Sequence, residues 1–236
     1  MLWLKAWLET RWRMVFLLVV GLFLLGVFFE VSGSARANHP QALALSLMIL
    51  RTSTLFAFLT AITLAGSGIE TVSVRPGVIE KSAEESTLFT LSLPVTRVWL
   101  FVVRSFTGVI ETLALLTLFT VAAWLIAPPL VLNASGALRF FALIVPYSLT
   151  VYAVSACLST FCDESWRFRI SSLAIAMFHV LASIGKVPGP FDISRTVVAT
   201  SPLTLYQVPW ATLVIACVLA FLFFGAALQV VQKRDY

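Results

Sequence analysis

Charge is what this 236-residue chain has least of: only 11% of its residues are Asp, Glu, Lys or Arg, against about a quarter in soluble domains. Too few ionic groups remain to cover a water-exposed surface, which excludes a soluble globular fold. Cysteines number three, an odd count without a paired ligand motif, so neither a disulfide framework nor a zinc site is indicated. Cys157, Cys162 and Cys217 read as small apolar residues. His39 and His179 are the two histidines, and neither has a companion at metal-ligand spacing. No Gly-x-x-x-x-Gly-Lys-Ser/Thr loop occurs, so the chain has no standard cradle for nucleotide phosphates. The basic residues are scattered singly rather than gathered in a stripe, so the net charge of +5 does not indicate nucleic acid.

What the chain has is apolar length. Hydrophobic residues make up 60% of it and the mean hydropathy is +0.98, the composition of an all-α integral membrane protein. Six runs are predicted to span: 14–31, 42–69, 98–126, 140–161, 170–185 and 210–231. They leave room for one membrane domain over 1–236 and no separate soluble one. Residues 1–13 carry Trp3, Trp7 and Trp12 among Lys5, Arg11 and Arg13, a pattern that predicts an amino-terminal interfacial helix. Between the fifth and sixth runs, 186–209 mixes Pro188, Pro190, Pro202 and Pro209 with apolar stretches. That mixture predicts a re-entrant outer hairpin.

Basic residues set the orientation. With the amino terminus inside, the short cytoplasmic segments hold ten Lys and Arg and the outer ones hold Arg36, Arg139, Lys186 and Arg195. Both termini are then cytoplasmic, as is the polar segment 78–97. Within it Glu80, Lys81, Glu84 and Glu85 supply a wet side while Ile79, Ala83, Thr87 and Leu91 recur at about a four-residue step, the signature of a short amphipathic helix. Pro94 stops it. The acidic face is either a docking surface for a basic partner or a solvated face.

Arg51, Arg104 and Glu111 fall inside spans. Counting about 1.5 Å per residue from the span ends places Arg51 and Glu111 at similar depth in a core of about 30 Å, which predicts a buried ion pair, with Glu30 as the competing partner. Such a pair would either fix helix register or touch substrate. Arg104 lies shallower, able either to snorkel to the headgroups or to pack against the surface helix. Ser67, between Gly66 and Gly68, would need His179 as its base to act as a protease nucleophile, but the two are expected at different depths. Small residues there more simply permit close helix approach. No convergent catalytic set is found.

Glu84-Glu85-Ser86-Thr87-Leu88 followed by Leu93-Pro94-Val95-Thr96-Arg97, with Arg104 seven positions on, resembles the inner loop of the ABC type 2 exporter permeases. That family usually has Gly at the position of Ser86 and Ser at that of Thr96. Ser201-Pro202-Leu203-Thr204 is similar to the Pro-Leu-Thr of its outer hairpin, and the six spans fit as well. The resemblance implies a non-enzymatic membrane subunit of a bacterial cytoplasmic membrane, paired with a second permease subunit. ABC ATPase subunits would dock beneath, and ATP and magnesium would bind there rather than on this chain. Glu80, Glu84, Glu85, Thr87, Leu88, Leu91, Pro94 and Arg97 would form the coupling segment. The alternatives are a mechanotransmitting or assembly subunit that uses the same ATPase without carrying a solute, and, more remotely, an intramembrane protease.

Overall fold

The computed structural model describes residues 2–35, 39–65, 96–126, 134–162, 164–183 and 210–233. Among them are six helices: α1 (Leu2–Ala35), α2 (His39–Leu64), α3 (Arg97–Ile126), α4 (Ala134–Leu158), α5 (Glu164–Ser183) and α6 (Trp210–Lys233). No strand occurs among the described residues. Four stretches are long and apolar enough to cross a membrane: Thr10–Glu30, Val98–Ile126, Ala137–Leu158 and Trp210–Lys233. The chain is an integral membrane protein with an all-helical fold.

The distribution of side chains follows from that solvent. Phe221 and Phe23 are 80% and 70% exposed, and all seven tryptophans lie on the outside. Water would make such a surface untenable, but hydrocarbon does not. Polarity is turned inward instead: Thr60, Thr112, Ser148, Ser155, Glu111 and Arg167 are buried. Two of the buried threonines satisfy their hydroxyls locally: Thr60 donates to the Phe56 carbonyl at 2.8 Å and Thr112 to that of Gly108 at 2.8 Å.

Helices α2, α3 and α4 pack against one another, and each groove between two of them carries an outer helix. Helix α1 covers the α2/α3 groove, α6 the α3/α4 groove and α5 the α2/α4 groove. Successive helices alternate in direction, as the pairings Leu17 with Leu64, Phe56 with Phe119, Leu116 with Ile144 and Ser155 with Ser171 require. We call the end at which α1 and α3 begin proximal and the opposite end distal.

Two features depart from the sequence reading. Residues 2–35 form one helix with no break near residue 13, so the amino-terminal segment runs straight into the first apolar run rather than lying apart as an interfacial helix. Packing holds it there: Trp3 sets its ring edge-on to Phe106 at 5.7 Å, and Thr10 is buried against α3. Helix α5 begins at Glu164, six residues before the run predicted from 170, so Arg167 and Arg169 belong to its first two turns.

The helix ends are also staggered. Thr150 of α4 stands beside Ala216 of α6, sixteen residues into one helix and six into the other, so α6 begins about 15 Å below the distal start of α4. At the proximal end it is α2 that stops short, as described next.

Candidate functional site

Helix α3 starts where Thr96 stops being Pro-Val-Thr and becomes a cap: the Trp99 amide donates to the Thr96 hydroxyl at 3.3 Å, the bond an N-cap residue makes. Serine would make the same bond. Arg97 is the first residue of α3, and seven positions later Arg104 is 7% exposed. Of the two expectations for Arg104, burial inside the bundle excludes a side chain snorkelling to the headgroups.

One turn on, Gly108 permits a close approach of α2 and α4 to α3. A Cβ there would meet the Leu64 carbonyl oxygen at 2.8 Å, and the Tyr152 hydroxyl closer still. Only glycine lets the last turn of α2 and the ring of Tyr152 meet on α3 at this point. Tyr152, buried in α4, donates its hydroxyl to the Ser105 carbonyl at 2.9 Å and so ties α4 to α3.

Glu111 follows one turn later, buried and facing α1. The Thr10 hydroxyl stands 2.5 Å from its Oε1, against 3.2 Å from the carbonyls of Ala6 and Trp7, so the cross-helix bond is the strong one. Arg13, one turn beyond Thr10, reaches from α1 to the Thr63 carbonyl of α2 at 3.4 Å. That carbonyl belongs to the last turn of α2, where acceptors lack intrahelical donors and a cation is favoured.

Arg167 adds a second buried guanidinium, 1% exposed, from α5. Tyr152 lies within electrostatic range of both Glu111 and Arg167, and Ser171 of α5 reaches Ser155 of α4 at 3.5 Å. Thr10, Arg13, Leu64, Arg104, Gly108, Glu111, Tyr152 and Arg167 thus form one buried polar layer to which five helices contribute. Thr10, Arg13 and Tyr152 each donate to a group on another helix, an arrangement that fixes which turn of one helix meets which turn of the next. Two clefts beside α4, of about 290 and 220 Å³, have almost entirely apolar linings.

The depth match expected for Arg51 and Glu111 fails. Leu64 lies on Gly108, Ala57 packs with Leu116 and Phe56 stacks on Phe119, a register that brings Arg51 level with Ala123. Twelve residues of α3 separate that level from Glu111, about 18 Å along the axis. Glu111 is bonded to Thr10 instead. Glu30, the competing partner, is exposed.

The side chains of Arg51 and Arg97 lie outside the described residues, as do Glu80, Glu84, Glu85, Thr87, Leu88, Leu91 and Pro94. So do Ser201, Pro202, Leu203 and Thr204 of the expected outer hairpin. Thr10, Gly108, Tyr152 and Arg167 escaped the sequence reading. Thr10 was the legible one, since it is polar on the face that continues through Met14 and Leu17. Among the described residues no group of three or more His, Cys, Asp or Glu is placed to hold a metal ion. No family model, curated protein or solved structure matches the chain.

Proposed function

We propose that this chain is the permease subunit of an ATP-driven ABC exporter in a bacterial cytoplasmic membrane, with six spans and both termini cytoplasmic. Two copies, or one copy and a relative, enclose the pathway. Separate ATPase subunits bind ATP and magnesium and dock on the segment 78–97.

One observation supports this reading beyond the motif itself. Helix α2 ends on Gly108, eleven residues past the start of α3, so the chain from Leu64 to Arg97 links a point inside the bundle to its proximal rim, about 16 Å away along the axis. A push on that connection acts directly on the contact of Leu64 with Gly108 and on the polar layer around Glu111. Closure of the ATPases displaces the coupling segment, the layer shifts between two arrangements, and the spans tilt between inward and outward access.

The apolar lining of both clefts favours a second reading, in which the same push performs mechanical work on another protein without moving a solute. Extraction of the tagged chain in mild detergent tests what the two readings share. An ATPase recovered one-to-one with the chain is the expected result; recovery of the chain with no nucleotide-hydrolysing partner would overturn both. A solute accumulated in vesicles by the reconstituted complex then selects export.

A further inference from the structure

The larger cleft lies between α3, α4 and α6, has a volume of about 290 Å³ and is formed by Phe106, Val109, Pro146, Tyr152, Ala220 and Phe221 among others. The Tyr152 hydroxyl is turned onto the Ser105 carbonyl, and no polar surface is left in the lining. A ligand that needed a hydrogen bond would find none there, which excludes headgroups, sugars and peptides as the buried part of any occupant. Pro146 contributes to the opening, because its ring cannot sit close-packed in a helix and its missing N–H leaves α4 without one rung.

The cleft is not sealed. Phe106 on α3 and Cys217 and Phe221 on α6 stand at its rim and are exposed, so it is continuous with the apolar outer surface that the membrane covers. It sits against the middle of α6, well away from either end of that helix. What meets such an opening from outside is bilayer hydrocarbon.

We propose that this cleft is a binding site for a single lipid hydrocarbon chain, which enters sideways between α3 and α6 and packs against Tyr152 while its headgroup stays at the membrane surface. The site shares Tyr152 with the polar layer but does not rest on the exporter reading. A chain seated there fills the space beside Ser105 and Gly108, the stretch of α3 on which α2 and α4 converge.

The test uses the full chain in nanodiscs of phosphatidylcholine with a trace of the same lipid carrying a diazirine midway along one acyl chain. After illumination, adducts are mapped by mass spectrometry. The expected result is a several-fold enrichment on Val109, Leu149 and Ala220 over Val19 and Phe23, which are ordinary exposed positions or lie beside them on the outer face of α1. Filling the cleft by Ala220→Phe, or separately by Val109→Phe, should remove the enrichment and leave the α1 adducts unchanged. Adducts spread evenly over all apolar surfaces of the native chain would overturn the proposal, whether or not either variant folds. So would an oxidative dimer through Cys217 at high yield, which would mean that a second copy covers the cleft.

Discussion

At the proximal end α1, α2 and α3 meet through Thr10, Arg13, Glu111 and the terminal carbonyls of α2. Toward the distal end the same three helices meet through Leu25, Phe28, Phe56, Phe119 and Ala123. The distal contacts are close, with Phe56 stacked on Phe119 at a centroid separation of 4.7 Å and Phe28 edge-on to it at 6.2 Å. Lipid, however, is as apolar as they are, so burying them gains little over leaving them in the bilayer. A hydroxyl on a carboxylate and a carbonyl in the notch of a glycine have one register that satisfies them. The comparison teaches that in this molecule polar contacts specify alignment while apolar contacts fill volume.

The widest gap between the two halves is expected at Gly108. Gly108→Leu drives a side chain into Tyr152 and into the Leu64 carbonyl, which cannot retreat without moving α2, and should cost about 3 kcal/mol or prevent assembly. Loss of helicity on titration with a denaturing detergent, followed by circular dichroism, measures it. Glu111→Leu comes next. It removes the tie between α1 and α3 and leaves the Thr10 hydroxyl only its longer bonds to the Ala6 and Trp7 carbonyls, for about 1 to 2 kcal/mol, and Glu111→Gln should recover part of that. In a double-mutant cycle Thr10→Val should add much less once Glu111 is replaced.

Thr150→Val probes the seam of α4 with α6, where the Thr150 hydroxyl lies 2.8 Å from the Ala216 carbonyl and 2.9 Å from that of Pro146. One bond is lost and nothing charged is left behind, so about 0.6 kcal/mol is expected by the same titration. The smallest effect should come from the distal half. Phe119→Leu keeps most of the volume in an apolar cluster and should cost under about 1.5 kcal/mol without changing the register. A Phe119→Leu effect larger than that of Glu111→Leu would reverse the comparison.

Much of the fold was legible in the residues, because each helix is an apolar run and the proline, glycine and charge clusters fall between runs. The site was not, for a physical reason that Arg51 illustrates. Depths counted from span ends assume that all helices begin and end at common levels, but α2 stops eleven residues inside the start of α3. That stagger moves Arg51 away from Glu111 and leaves the carboxylate to Thr10. Arg167 and Arg169 illustrate a second limit. Two residues apart on α5, one is buried and the other lies outside with its guanidinium 5.6 Å from the exposed Trp166 ring, a difference set by helical phase rather than composition. Thr10 was hidden by its neighbours, since tryptophans and arginines around it describe a surface helix equally well.

The most direct test of the proposed coupling follows the proximal end of the chain in complex with the proposed ATPase. Spin labels at Trp12→Cys and Trp166→Cys, both exposed positions, report the separation of α1 and α5 there once Cys157, Cys162 and Cys217 are replaced. The account predicts that the distance distribution in the complex shifts when ATP is trapped with vanadate, and that Leu88→Asp with Leu91→Asp abolishes the shift while the fold is retained. A distribution in the native complex that is the same with and without trapped nucleotide would contradict it.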